Sequence, residues 1–541
     1  MPTIAFSYKD FQNLLGKKLP HGKFVEMLLL YAKAEAGKYE EATGEITVEL
    51  DDTNLPYLWC PEGLARLFQG ILGIRKGQAK LKLSKGNYKI IAEESVKKVR
   101  PYITAFVAKG KKIDDYALKQ LVQLQEKFCD NYGRKRQKVS TGLYSFKRLT
   151  FPVHYKAVPP ESVKFTPLGF EKPLTLAQIL KQHPKGQQYG WILKDSANYP
   201  ILLDDKGEVL SLAPIINSSF TGRLEVGDSE MLFEATGTDE ESINLAANIF
   251  AQNLAERGFE IYSVAIKQSG KSFIAPIMEQ TKAKITPESV EQLTGLKLSP
   301  AQIKALLEKM GYEMENGQAT LPAYRADYMH PVDIIEDVAI AYGFDKIAEM
   351  PLTSYTVGKK DSKGAMLNPL RKAIVGIGFQ EIFSHILTDK NSVDGDAVEL
   401  ENFMSETYSA VRNSLLPQLL DVLAKNRHSE YPQKIFEEGI VATKKSGKIR
   451  EWHSLALAAA HSKADFTEMK QYLSAFFAAA AIKFELRPTE NATFIKGRVG
   501  SIIAGKKGIG LIGEISPAKL EELGIDTPVV AMEIDLSFLA Y

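Results

Sequence analysis

The chain has little that would tie it to an oxidising compartment or a membrane. It carries two cysteines in 541 residues, Cys60 and Cys129. Two thiols so far apart in sequence form neither a disulfide framework nor a zinc site, so a reducing compartment, the cytoplasm, is expected. Residues 1–15 lack a basic flank followed by an apolar run, and no secretory signal is expected there. The most apolar stretch, residues 474–482, falls far short of the ~18–20 residues a membrane span needs, which argues against a membrane partner. No glycine-rich phosphate loop of the GxxxxGK[ST] type is present. The run AGKKGIG from Ala504 has glycines and lysines but sits where a hairpin turn is expected. Low-complexity and linker-like tracts are also missing.

What is present reads as an ordinary globular protein, with 45% hydrophobic and 25% charged residues. At ~150 residues per domain the length suggests three or four domains. The net charge of +2 says little, but its distribution is uneven. Between Arg75 and Pro160 there are 21 Lys and Arg against 6 Asp and Glu, while the remainder is net acidic. Such a segment suits a polyanion, or equally a lysine-rich solvated surface.

A weak internal duplication organises the chain. LLGKKLPHGKFVEMLL from Leu14 aligns with LTGLKLSPAQIKALLE from Leu293, placing Gly16 on Gly295, Leu19 on Leu298, Phe24 on Ile303 and Leu28 on Leu307. Each copy predicts a short helix, a glycine turn and a second amphipathic helix. An extended piece follows, and then a helix opening near Pro61 or Pro331 and ending near Gly73 or Gly343. Between the copies, IDDYALKQLVQLQEKF predicts a helix, and QYGWILKD, YPILLD and EVLSLAPII predict strands. SINLAANIFAQNLAERGF predicts a helix starting near Glu241 or Ser242 and stopping at Gly258. In the last third, PLRKAIVGIGF and SLLPQLLDVLAKNR predict helices. QEIFSHILTD, QKIFEEGIVATKK and EWHSLALAAAHS predict strands, a pattern suited to an antiparallel sheet backed by helices.

Several stretches together carry a family resemblance. They are GRKRQKVSTGLYS from Gly133, APIINSSFTGRLEVGDSEMLFEATGTD from Ala213, LPAYRADYMHPVDIIEDVAIAYGFDKI from Leu321 and ENFMSETYSAVRNSLLPQLLDVLAKNRHSEYPQKIFEEGIV from Glu401, with GLIGEISPAKLEELGIDTPVVAMEIDL from Gly510. In this order, over nearly the whole chain, they resemble the phenylalanyl-tRNA synthetase beta subunits of the shorter, archaeal and eukaryotic type. The resemblance implies an α+β multidomain chain. Residues 1–85 and 271–350 would be two small related helical modules. They would flank a mixed α/β editing and tRNA-binding module at residues 86–270. Residues 351–541 would form a class II synthetase-like antiparallel sheet with helices, stripped of catalytic motifs. In keeping with that, no GxGxxxR-like ATP-arginine stretch lies near the C-terminal end. The implied assembly is an α2β2 tetramer in which the alpha subunit uses ATP to charge tRNA(Phe), with the beta chain binding tRNA and hydrolysing mischarged Tyr-tRNA(Phe). Two rivals stand beside this: a freestanding editing hydrolase and a non-catalytic tRNA-binding scaffold.

Three candidate sites follow. Asp327, Asp333, Glu336 and Asp337 have the spacing D-x5-D-x2-E-D, with the last three on one helix face. An all-oxygen set suits Mg2+, and the resemblance implies Mg2+ at these positions; acids favoured by the helix dipole are the plainer alternative. For the proofreading pocket, a carboxylate is a strong acceptor for the phenol O–H that distinguishes tyrosine from phenylalanine. The resemblance suggests Glu234 as hydroxyl reader, Ser211 and Leu202 as polar and apolar walls, and Asn217, Thr221 and Thr236 as helpers that position the ester or a water. Glu234 as an ordinary ion-pair partner is the alternative. No Ser–His or Cys–His pair is apparent, so hydrolysis would use a positioned water. Finally, Lys97, Lys98, Arg100, Arg134, Lys135, Arg136 and Lys138 are candidate contacts to the tRNA backbone.

Overall fold

The duplicated segment is built alike twice. In the computed structural model, which describes residues 2–393 and 395–539, the first copy runs strand Thr3–Ser7, helices Tyr8–Leu15 and His21–Met27, strands Ala34–Glu40 and Glu45–Leu50, and helix Pro61–Ile71. The second runs strand Lys282–Lys284, helices Pro287–Thr294 and Pro300–Lys309, strands Glu313–Glu315 and Gln318–Thr320, and helix Pro331–Tyr342. In both three-stranded sheets the last strand lies between the other two. The first helix of each copy stops at a left-handed glycine, Gly16 at φ 75° and Gly295 at φ 72°, a conformation that a side chain disfavours.

The copies were expected to be helical, yet each carries a sheet. The alternation in EITVEL explains this for the first copy: Ile46 and Val48 face the same core as Phe6 and Ile4, which lie opposite them across the ladder.

The two copies do not fold apart. Their apolar faces merge with one face of the large sheet between them into a single core reaching from Ile4 to Ala341. Polar stems cross the joint as well. The Arg66 guanidinium lies 4.2 Å from the Tyr324 ring centre, and that of Arg325 lies 5.4 Å from the Tyr57 ring centre. Contacts of this kind contribute about 0.5–2 kcal/mol each.

The large sheet has ten strands. Its main path runs Ile216–Asn217, Val209–Leu212, Tyr199–Leu203, Val153–Val158, Leu83–Ala92, Glu260–Gln268, Tyr102–Lys109, Glu230–Gly237 and Val139–Ser145. Helix Glu240–Glu256 covers one face, where Phe233 sits 4.8 Å from both Phe106 and Phe250. This helix begins slightly before the expected start because Asp239 caps it, accepting the Ser242 N–H at 2.8 Å. The opposite face packs Ile103, Ala105, Tyr155, Leu202, Leu210 and Leu232 into a second core. Of the three strands expected after Gln187, QYGWILKD is not one: it forms the end of helix Pro184–Tyr189 and a tight turn at Gly190–Leu193. Pro184 and the His183 ring, which accepts the Lys185 N–H, start that helix, and Tyr189 and Leu193, four apart, bury on one side.

Residues 351–541 form a separate compact unit. Its seven-stranded sheet is antiparallel except where Gln380–Glu381 pairs with strand Gln433–Lys445. Helices Ser362–Gly376 and Phe466–Ala479 pack on one face, and helices Leu416–Lys425 and Pro517–Leu523 on the other. The two-residue period of the strand Lys448–Ala460 divides accordingly. Leu455, Leu457 and Ala459 enter the first core, while Ala456, Ala458 and Ala460 enter the second. QEIFSHILTD, expected as one strand, yields only the short pieces Gln380–Glu381 and Leu387–Thr388. AGKKGIG is the turn joining strands Phe494–Ala504 and Lys507–Ile515, together with the start of the second strand.

Candidate functional site

Strand Glu230–Gly237 is apolar almost throughout, and Glu234 is its one buried acid. The period of two sends Phe233 and Ala235 toward the helix and Glu234 toward the opposite core. There the Tyr144 phenol donates to Glu234 Oε1 at 2.8 Å. Oε2 has no hydrogen-bond partner among the described residues. Burial pushes the Glu234 carboxyl up to about 7, against the lowering effects of the Tyr144 hydrogen bond and the Arg100 charge. Tyr144 is itself driven well above its ordinary range by burial, so it stays a protonated donor.

The Tyr144 oxygen also lies 3.0 Å from Ser211 Oγ. That contact joins the terminal strand Val139–Ser145 to Val209–Leu212, the last strand but one at the other end, so the large sheet curls back on itself. Ser211 stands across the ladder from Leu202 on one side and Asn217 on the other. Directly opposed residues share a face, so Leu202, Ser211 and Asn217 form one row leading to Tyr144 and Glu234. Leu202, Ser211 and Glu234 are buried, and Asn217 is half-buried. The expected walls and reader are thus brought together.

The two threonines are differently employed. Thr221 is buried and donates to the Val209 carbonyl, pinning a loop. The Thr236 hydroxyl accepts from Arg100 Nε at 3.1 Å, and its carbonyl accepts from Arg100 Nη2 at 2.6 Å. Both hydroxyls thus already serve the protein's own scaffold.

Arg100 corrects another expectation. The basic run suggests a surface contact to a polyanion, but Arg100 is buried and serves Thr236, Ser140 and the Gln137 carbonyl. Sequence counting could not separate it from Lys97 and Lys98, which are exposed. Arg134, Lys135 and Arg136 form a left-handed turn with φ of 49°, 52° and 68°. This turn leaves Arg134 and Lys135 exposed and swings Arg136 inward. Arg136 donates to the carbonyls of Pro214 and Ile215 and lies 4.2 Å from the Tyr189 ring centre. Lys138 is half-buried and pairs with Asp239 at 3.5 Å.

The four acids expected to hold Mg2+ are not gathered. The two oxygens of Asp327 take Nε and Nη2 of Arg325, and Asp337 Oδ2 lies 2.8 Å from Arg325 Nη1 while accepting the Tyr312 phenol at 2.5 Å. Arg325 and Asp337 are buried, and Asp327 is half-buried with its side chain turned inward. Asp333 instead caps its own helix, accepting the N–H groups of Met329 and His330, and the Met329 amide holds its carboxyl below the usual range. Glu336 is exposed and pairs with Lys33 at 2.9 Å. Among the described residues no group of three or more His, Cys, Asp or Glu side chains is placed to hold a metal. A guanidinium supplies the positive charge that Asp327 and Asp337 require, and as arranged the four do not fit Mg2+. Arg325, two residues before Asp327, was the signal that spacing among the acids alone overlooked.

Sequence reasoning also missed Tyr144 and Gly142 as members of the pocket. Gly142 faces Glu234 across the ladder, and a Cβ there would fall 2.7 Å from Glu234 Oε1 and closer still to the Tyr144 hydroxyl. The glycine is what lets the acid and the phenol meet.

Comparison with known proteins agrees with this architecture. Residues 348–536 match the model of the phenylalanyl tRNA synthetase beta chain CLM domain, and residues 283–344 match the tRNA synthetase B5 domain. The phenylalanine–tRNA ligase beta subunit of Pyrococcus horikoshii is 38% identical over 552 residues, covering 99% of both chains. That of Thermococcus kodakarensis is 37% identical over 568 residues, again covering 99% of both. The crystal structure of an N-terminal fragment of the Pyrococcus horikoshii phenylalanyl-tRNA synthetase beta subunit superposes with a TM-score of 0.61 at 37% identity, covering 63% of this chain and 99% of the fragment.

Proposed function

Because this chain belongs to the family of phenylalanine–tRNA ligase beta subunits, we propose that it works beside an alpha subunit that uses ATP to charge tRNA(Phe). Its own tasks are to bind the tRNA and to hydrolyse tyrosine wrongly esterified to it. The proofreading part rests on one observation above all. Glu234 is a buried carboxyl group with one oxygen taken by Tyr144 and the other without a hydrogen-bond partner among the described residues, beside the apolar Leu202 and the hydroxyl of Ser211. An acceptor left unsatisfied inside a protein is costly unless a ligand supplies the donor. A tyrosine phenol is such a donor, and phenylalanine has none.

The chain's residues would act by shape and hydrogen bonding. Leu202 packs against the ring, Glu234 accepts its O–H, and Asn217 lies where the row approaches the surface and the ester would sit. Hydrolysis then falls to a water held near the ester. The exposed Lys97, Lys98, Arg134 and Lys135 would meet backbone phosphates, giving affinity that weakens with salt.

The test is Glu234→Ala in the alpha/beta complex. Phenylalanine charging should stay at the wild-type rate, while clearance of Tyr-tRNA(Phe) falls roughly 10–100-fold, the worth of one charge-assisted hydrogen bond. Undiminished clearance by the variant would refute the assignment.

A further inference from the structure

The geometry points to Tyr144 as a positioning residue that fixes which oxygen of Glu234 a substrate can reach. The inference rests on the proofreading reading above and names the part of that site which sets its selectivity.

Tyr144 is fully buried, and its oxygen lies between Glu234 Oε1 at 2.8 Å and Ser211 Oγ at 3.0 Å. A phenol has one proton and so donates to one acceptor at a time. With Glu234 ionised, the carboxylate is the stronger acceptor. Ser211 Oγ, 3.0 Å away on the other side of the phenol oxygen, is the weaker acceptor left in reserve. The Tyr144 hydrogen bond takes Oε1 out of play, holds the plane of the carboxylate and leaves Oε2, which has no hydrogen-bond partner among the described residues, to be reached. In effect the protein carries a resident phenol on one oxygen and presents the other to a visiting phenol.

Other features hold this arrangement in place. Gly142 keeps the space across the ladder open. The ionisable groups facing Glu234 are Arg100, Tyr144 and Tyr155. Arg100 is bound to Thr236, Ser140 and the Gln137 carbonyl, and Tyr155 donates to the Arg100 carbonyl at 2.7 Å. Only Tyr144 among the three makes a hydrogen bond to the carboxylate.

Two consequences follow for Tyr144→Phe. Both oxygens of Glu234 become free and the carboxylate can turn, so it reads the substrate hydroxyl less well. The carboxylate also loses the hydrogen bond that favours its charged form, so it ionises at higher pH.

The experiment measures Tyr-tRNA(Phe) deacylation by the alpha/beta complex across pH, with Phe-tRNA(Phe) as the comparison. For Tyr144→Phe, KM for Tyr-tRNA should rise roughly tenfold with kcat nearly unchanged. The acidic limb of the profile should move to higher pH, and discrimination against Phe-tRNA should narrow. A purely structural tyrosine would lower the amount of active enzyme without moving the limb or the discrimination. If Tyr144→Phe fails to fold, 3-fluorotyrosine at position 144 keeps the ring and strengthens the donor, and the limb should then move to lower pH. A wild-type complex that leaves Tyr-tRNA intact would overturn the proofreading reading itself. A wild-type complex that clears it, with a variant that keeps the wild-type KM, limb and discrimination, would overturn the role of Tyr144 alone.

Discussion

Among the acids the first unit withdraws from water, two sets are treated in opposite ways. Asp327 and Asp337, at the joint between the duplicated modules, share the Arg325 guanidinium, and Asp337 takes the Tyr312 phenol as well. Glu234 has one phenol on one oxygen, and the other has no hydrogen-bond partner among the described residues. Both settings remove carboxylates from water, which is expensive without partners. Where an opposite charge is at hand, the pair ties the joint together. Acids that look alike in a sequence thus separate by what each oxygen touches: Asp337 meets a guanidinium and a phenol, and Glu234 Oε2 has no hydrogen-bond partner among the described residues.

The sharpest way to break this contrast is Arg325→Met. It strands the buried Asp337 and the half-buried Asp327 and should cost about 3–5 kcal/mol of stability, read by chemical denaturation. A loss under about 1 kcal/mol would mean the acids have another partner.

Glu234→Gln should act in the opposite sense and only at higher pH. The Glu234 carboxyl is raised from its ordinary 4.5 to about 7 in the folded chain. The folded state therefore holds a proton that the unfolded state has released, and wild-type stability declines as pH rises through this window. The variant's stability relative to wild type should improve by on the order of 3 kcal/mol between those limits and then level off. Denaturation midpoints taken at several pH values would show the slope, and a flat difference would remove the strained acid.

The smallest effect belongs to Glu336→Ala. Its partner Lys33 is about as exposed as it is, so stability should change by no more than about 1 kcal/mol in the same denaturation assay.

The legible parts of the sequence were those governed by local periodicity. The left-handed glycines Gly16 and Gly295, the proline-led helices and the alternating strand Lys448–Ala460 all follow from spacing within a few residues. Leu202, Ser211 and Glu234 came from resemblance, and the sheet brings them together. The illegible parts depended on what arrives from far away. Arg100 is basic in sequence but is claimed by Thr236, 136 positions on. QYGWILKD has the composition of a strand, but Pro184 just upstream commits it to a helical turn. The acids at 327 and 337 share a charge that was visible two residues away, yet only the turn between Leu321 and Pro331 shows which way Arg325 points. Tyr144 stood next to a basic run and reads as part of it until the sheet curls and carries it to Ser211.

That the first core reaches from Ile4 to Ala341 has a consequence for how the chain is made. The opening strand leaves the ribosome long before the helix that completes its surroundings. At about 5–20 residues per second, the earliest apolar groups wait on the order of tens of seconds for their last neighbours. The rings of Phe6, Phe11, Phe24 and Phe68 all lie within the first copy and touch one another. They give the nascent segment a provisional cluster to hold during translation, and closure of the unit is a late event set by synthesis of its final helix.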